Sequence, residues 1–485
     1  VSGKASILDT YPAYQVDIGI EVHVQLTTKS KIFCTCSNGF ATEPNTNICE
    51  VCSAQPGSLP RLNAKVIEYA IMTGLATNCK INARSKFDRK HYFYPDLPKN
   101  FQITQNDQPI CTEGHVKIRL EDGSKKNVRL IRIHMEEDAG KNIHAQTGES
   151  FVDLNRAGTP LLEIVSYPDI NSSYEAKSYL QMLHKIVTYL NVSTGNMEEG
   201  AFRADTNISV RKKDNPKLGT KVELKNINSF KFIGDAIEYE IERQIELLED
   251  GERIKQETRL WDTKERKSIP MRSKEELADY RYFNEPDLPI VAINQAQIDA
   301  IRAQLPELPG EKFERLMKEK NLSAYEAEIL VDAPEVADYF EKAYAINSSK
   351  HIINWILRDL LSYLKEEKIE LAACKVTPEK LAELVSLIDK GTINNRAAQE
   401  IFRYVAQTGK NPSVLVKELG LEQVGASAEL EATIKELVAA HPEQAAQYKA
   451  GQQKLFGFFV GLAMQKTQGK GNPKVIQELL KKYLS

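Results

Sequence analysis

Nowhere among the 485 residues do about eighteen apolar side chains follow one another, so the sequence predicts no helix that crosses a bilayer. The opening VSGKASILDTYPAY lacks the apolar h-region of a secretory signal, and the expected location is a cytoplasm or an organelle interior. Neither sign of charge dominates: 64 basic against 67 acidic residues leave −3, so a nucleic-acid partner would have to be met by a local patch. No G-x-x-x-x-G-K-[ST] segment occurs, which excludes a P-loop. Cysteine is scarce and odd in number; four of the seven cluster, while Cys79, Cys111 and Cys374 stand apart. That usage suits a reducing compartment and a metal site better than a disulfide framework. What remains is a soluble globular chain with room for about three ordinary domains.

The chemistry is expected in the stretch from Ile131 to Ser166. Alternate strand residues share a face, so Ile131, Ile133 and Met135 define an apolar side and Glu137 continues it, pointing inward. Glu163 sits within Leu161-Leu162-Glu163-Ile164-Val165, a run that reads as a strand buried on both faces. A lone buried carboxylate costs several kcal/mol and needs a cation, a metal or a proton. Glu136, of opposite parity and sharing a face with Arg132 and His134, reads as a salt-bridged surface residue.

Earlier, Asp17 to Leu26 alternates as a half-buried strand whose polar face carries Glu21 and His23. Such i, i+2 neighbours lie about 7 Å apart, within reach of one hard cation, though a merely solvated face has the same spacing. Cys34-Thr-Cys36, twelve residues, then Cys49-Glu-Val-Cys52 make a four-thiolate set of structural-zinc type, with no open position for catalysis. Four unmetallated buried thiols are the alternative. From Ser85 to Gln108, Lys86, Arg89, Lys90 and Lys99 are interleaved with Phe87, Tyr92, Phe93, Tyr94 and Phe101. Stacking on a base beside neutralised phosphate and ordinary packing of an amphipathic loop both fit that pattern.

Ser173–Leu190 has helical periodicity, and Asn191–Gly200 is expected to turn back into strand. Arg203, Asp205, Asn207, Ser209 and Arg211 alternate with apolar neighbours, as do Lys221, Glu223 and Lys225. Several polar strand faces that mix carboxylates with cations suggest one sheet whose open side is a metal and phosphate site. Ser229–Gly251 reads as a long amphipathic helix that covers the apolar side. Beyond about Ile290 the character is helical: Ser323-Ala-Tyr-Glu326 is a capping box, Thr377 precedes Pro378, and Gly409 and Pro412 punctuate the next boundary. The expected class is α+β, with a catalytic sheet domain over 1–292, a helical domain over 293–409 and a helical tail over 410–485.

Several long segments in order resemble the B subunit of aspartyl/glutamyl-tRNA amidotransferases: Gly19-Ile-Glu-Val-His-Val-Gln-Leu, Lys86-Phe-Asp-Arg-Lys, Tyr94-Pro-Asp-Leu-Pro-Lys, His134-Met-Glu-Glu-Asp-Ala-Gly-Lys, Asp153-Leu-Asn-Arg and Glu223-Leu-Lys-Asn. The resemblance implies an antiparallel cradle related to that of glutamine synthetase, on which the ATP γ-phosphate passes to the side-chain carboxylate of a misacylated tRNA before ammonia displaces it. It implies Mg²⁺ ligands at Glu21, His23, Glu137 and Glu163, a second Mg²⁺ site at Asp205 and Glu223, and structural Zn²⁺ on Cys34, Cys36, Cys49 and Cys52. Lys86, Lys90, Tyr94 and Arg203 are then the expected ATP contacts. The tail resembles the YqeY-type tail of the same family, which contacts tRNA; Lys454, Lys466, Lys470 and Lys474 would meet phosphates, although a solvated helix face has the same composition. An amidase A subunit and a small C subunit are the implied partners, because no glutaminase signature surrounds the lone cysteines and no Gly/Ser-rich amidase segment occurs. A free-standing ligase and a noncatalytic tRNA-presenting scaffold are the rival readings.

Overall fold

The computed structural model describes residues 7–39, 43–144, 148–227, 229–271, 280–422, 428–467 and 473–484. Val1–Glu314 forms one compact unit and Arg315–Ser485 a second. The first is built on a nine-stranded sheet with Tyr14–Gln25 at its centre. To one side run Phe202–Lys212, Val222–Ile227, Thr258–Asp262 and Lys267–Pro270; to the other, Pro160–Ser166, Lys125–Glu137, Cys111–Arg119 and Lys80–Ile81. All neighbours are antiparallel except Val222–Ile227 with Thr258–Asp262.

Alternation makes one side of this sheet apolar. Val16, Ile18, Ile20, Val22 and Val24 point to it from the central strand, joined by Ile133, Met135, Leu162, Ile164, Ala204 and Ile208. Helices Ala64–Ala76, Ser173–Tyr189 and Phe230–Glu249 cover that side with Val66, Ile71, Leu180, Leu183, Ile237 and Ile241. Each begins where an Asn or Ser side chain accepts a backbone N–H: Asn63, Ser172 and Ser229. The helices expected at 173–190 and 229–251 are thus present, and Gly251 follows the second with positive φ. Asn191–Gly200, expected to return to strand, is loop and turn.

The expected parity of the 131–137 segment fails at one residue. Val165 pairs with Arg132 but Ser166 with Leu130, so Ile131 is an extra residue in a β-bulge and is exposed. Ile133 and Met135 are fully buried, as their alternation requires.

The sheet's unit does not stop at residue 292. Ile293 and Ile298 join its core, Ile301, Leu305 and Leu308 pack against it, and Glu314 bridges to Arg119 and Lys125. The second unit is helical among its described residues. Its punctuation follows the sequence: Ser323 closes a capping box with Glu326, Thr377 caps a helix with Pro378 in its first turn, and Gly409 ends Asn395–Thr408 in the left-handed region. Within it, Ala428–Ala440, Leu455–Lys466 and Pro473–Leu484 share a core of their own around Ile434, Leu437, Phe459 and Ile476.

Candidate functional site

The sheet's other side carries the polar residues, and cross-strand register brings them together. Glu21 stands between Val165 and Asp205, His23 between Glu163 and Arg203, and Glu163 opposite His134. At the centre, His23 Nε2 lies 3.4 Å from a Glu136 oxygen and 3.6 Å from a Glu163 oxygen. His134 Nε2 lies 3.1 Å from Glu163 and 3.8 Å from Glu136. Glu136 is only 1% exposed, because the Phe101–Thr104 strand runs past it and Thr104 donates to it at 3.1 Å.

Glu136 is therefore not the surface residue expected from its parity; it is a member of the buried cluster. Glu137 does turn inward, but to the opposite side of the strand, where it accepts from the Ile103 amide at 2.9 Å and has Lys99 Nζ 2.5 Å away. Of the four residues expected to share a metal, the structure gathers His23 and Glu163 with Glu136, places Glu21 next to them on the same face, and leaves Glu137 out. The signal that separates Glu136 from Glu137 is the pairing of Glu163 with His134, which puts Glu163 on the side of even-numbered residues after the bulge.

The electrostatics suit a cation. Burial alone would lower the His23 pKa, but hydrogen bonding and charge from Glu163, with the charge of Glu136, push it up to about 9. His134 is likewise raised against its burial by the two carboxylates. Glu163, despite a burial cost of opposite sign, is held well below the usual carboxylate range by His134 and His23. Glu21 is raised, by burial first and then by the negative charges of Glu163, Glu223 and Asp205. One ligand atom each from His23, Glu136 and Glu163 falls within a 4.8 Å span. Opposed ligands of an octahedral Mg²⁺ are about 4.2 Å apart, so small side-chain adjustments complete the fit. His23 would have to give up its proton to become a ligand.

Asp205 and Glu223 lie on neighbouring strands of the same face, and the Lys225 ammonium bridges them at 2.8 and 3.0 Å. Of the expected ATP contacts, Lys90 feels the charges of Glu136 and Glu163, and Arg203 pairs with Asp138 at 2.9 Å beside His23. Lys86 is engaged instead by Asp107 at 3.0 Å and Asp88 at 3.6 Å, and Tyr94 is exposed. Sequence reasoning missed Glu136, His134 and Lys225.

The four clustered cysteines also meet: Cys52 Sγ is 3.9 Å from Cys49 Sγ and 4.0 Å from Cys36 Sγ, and all four sulfurs fall within 4.8 Å. Tetrahedral Zn²⁺ with bonds of about 2.3 Å needs sulfurs about 3.8 Å apart, so the set could hold zinc. A hydrogen bond from Cys34 is the main reason that the Cys52 thiol is pushed down to about 4, and buried Lys31, 3.6 Å away, adds to it.

Comparison with known proteins agrees with this architecture. The sheet unit matches the GatB/GatE catalytic domain over residues 16–299, and the helical unit the GatB domain over 338–484. The chain belongs to the family of amidotransferase B subunits. The B subunit of the aspartyl/glutamyl-tRNA(Asn/Gln) amidotransferase of Persephonella marina is 52% identical over 469 residues, 96% of this chain and 98% of that protein. Its namesakes from Geotalea daltonii and Thermodesulfovibrio yellowstonii are 52% and 49% identical, each over 97% of this chain and 99% of their own length. The resemblance drawn from the sequence motifs thus extends over both units of the B-subunit family.

Proposed function

We propose that this chain activates the side-chain carboxylate of Glu-tRNA(Gln) or Asp-tRNA(Asn) with ATP, and that ammonia then converts it to the amide, giving Gln-tRNA(Gln) or Asn-tRNA(Asn). The observation that carries the reading is the acidic, imidazole-containing centre of the sheet face, in a chain of this family. A carboxylate is inert towards ammonia because its leaving group would be oxide. A carboxylate oxygen therefore attacks the γ-phosphorus while the bond to ADP breaks; ammonia next attacks the acyl carbon and phosphate departs. Mg²⁺ held there would neutralise phosphate charge during in-line transfer. His23, Glu136 and Glu163 would be its ligands, with Glu21 beside them. Asp205 and Glu223 could take a second ion once Lys225 withdraws. Arg203 and Lys225, on the two strands next beyond that of His23, would neutralise the triphosphate.

Membership among B subunits implies partner chains. Here they are an amidase A subunit that releases ammonia and a small C subunit, with zinc on the four cysteines as a structural ion. The deciding experiment is ATP hydrolysis by the assembled enzyme with misacylated, correctly charged and uncharged tRNA. Turnover only with misacylated tRNA is expected; equal turnover with all three, or none, overturns the reading. The purified chain alone is expected to form amide from free ammonia at raised pH but from glutamine only after the A subunit is added. Glutamine-dependent amidation without partners would refute that division.

The tail is proposed to hold tRNA. Lys454, Lys466 and Lys474 are exposed, whereas Lys470 lies outside the described residues. Replacing Lys454 and Lys466 by Ala should weaken tRNA binding and reduce the slope of log K against log salt by about one unit for each phosphate no longer neutralised. Titrations at several salt concentrations that give an unchanged slope would make these lysines merely solvated.

A further inference from the structure

On the same face as the cluster, two residues before His134, lies Arg132. It pairs across strands with Val165 and Thr112, and the bulge at Ile131 ends just before it, so it shares the side of His134 and Glu136. The hydrogen bond from its Nη1 to the Asn106 carbonyl is long at 3.4 Å. Its Nε is buried and has no hydrogen-bond partner among the described residues. An unpaired buried guanidinium donor is costly, and an acceptor arriving with a ligand removes the cost.

Arg132 does not stand alone. The Tyr282 phenol, raised first by burial, also feels the charges of Lys90, Glu163 and Arg132, so all three lie within electrostatic reach of it. Lys90 Nζ lies 4.9 Å over the Tyr280 ring, and the Tyr280 and Tyr282 rings meet edge to face at 5.9 Å. The strands order the charges: Arg132 lies on one side of the Glu163 and His23 strands, while Arg203 and Lys225 lie on the other.

We propose that Arg132 and Lys90, with the Tyr282 hydroxyl, form the subsite for the acceptor carboxylate of the aminoacyl substrate. In-line transfer brings acceptor and triphosphate to the γ-phosphorus from opposite directions, and the face has a cationic group on each side of its acidic centre. The side with Arg203 and Lys225 also has Glu21, Asp205 and Glu223, acids able to hold further cations for a multiply charged triphosphate. On the polar side of the Lys125–Glu137 strand, Arg132 is joined after the bulge by His134 and by one acid, Glu136, of the shared cluster, which suits a single negative charge. The Nε edge of a guanidinium matches the two oxygens of a carboxylate, one oxygen being held while the other attacks phosphorus.

The inference rests on the activation reaction proposed above, and the test separates the two. In the assembled enzyme, Arg132→Gln and Arg132→Lys are compared with the parent for ATP affinity, tRNA affinity and single-turnover phosphoryl transfer at saturating ATP and misacylated tRNA. The expected result is ATP and tRNA affinities within about twofold of the parent. The transfer rate should fall about 100-fold in the Gln variant and less in the Lys variant, which keeps charge without the fork. Melting curves confirm folding; if the Gln variant does not fold, the Lys variant and Tyr282→Phe, expected to slow transfer several-fold, carry the test. An ATP affinity weakened tenfold or more with an unchanged saturating rate would assign the subsite to phosphate, and unchanged values throughout would make Arg132 structural; either overturns the proposal. Absence of tRNA-dependent ATP turnover in the parent enzyme would instead refute the activation reaction itself.

Discussion

Glu136→Gln is expected to lower tRNA-dependent ATP turnover by about a thousandfold with little change in melting temperature, while Glu137→Gln does the reverse. Glu136 contributes one of two carboxylates to the His23 cluster, and replacing it at nearly constant volume removes a unit charge where phosphate must be neutralised. Thr104 can still donate to the amide oxygen of the variant, so the fold keeps its hydrogen bond. Glu137 faces away from the cluster and neutralises Lys99, whose side chain is 16% exposed. Stranding that ammonium should cost about 3 kcal/mol of stability, read as an earlier denaturation midpoint. Glu163→Gln should match Glu136→Gln in losing activity. If Glu137→Gln abolished turnover in a normally stable protein while Glu136→Gln remained active, the assignment of faces would be reversed.

The second large effect concerns the cysteines. Protein prepared without chelator should contain one zinc per chain, and its removal, or Cys49→Ser, should lower the melting temperature by about 5–10 °C. Between Cys34 and Cys52 the described residues form neither helix nor extended strand, so few backbone hydrogen bonds would remain to hold that segment once the ion is gone. The Cys49 N–H, 3.2 Å from Cys52 Sγ, and the Lys31 ammonium would still hold a thiolate there, but nothing would tie the other three sulfurs to it. Phosphoryl transfer measured well below the melting transition should change little, because none of the four sulfurs belongs to the His23 cluster. Metal analysis that finds no zinc, or an unaltered melting curve for Cys49→Ser, would contradict this.

The strands themselves were legible from alternation. Asp17–Leu26, Leu161–Val165, Arg203–Arg211 and Lys221–Lys225 each fall within or next to an observed strand, because a half-buried strand writes its two sides into every second residue. What alternation does not contain is which side of one strand faces which side of another. Glu163 and the Glu136–Glu137 pair are separated in the chain, and only the register that sets Glu163 opposite His134 decides between the two glutamates. Burial of a polar side was equally hidden. Glu136 and His134 are covered by segments that the sequence places elsewhere, chiefly the strand ending in Thr104, so a face that looks solvated along its own strand is enclosed in the fold. Lys225 shows the converse: its charge was visible, but not that it would lie between two acids expected to hold a metal.

Ile131 has a role out of proportion to its chemistry. It acts as a frameshift within the strand's alternation: upstream, Val128 and Leu130 are the inward letters, and downstream the inward letters are Ile133 and Met135, of the other parity. Deleting this one exposed aliphatic residue would join the two frames, with Leu130 inward, Arg132 outward and Ile133 inward in unbroken alternation. The residue that would flip the sides is an extra one between Arg132 and Glu136, which would turn Glu136 into the core and deliver Glu137 to the polar side. A fold whose catalytic alphabet depends on such a frame can tolerate many replacements at Ile131, and its loss, but no single insertion between Arg132 and Glu136, a distinction that substitution scanning alone would never reveal.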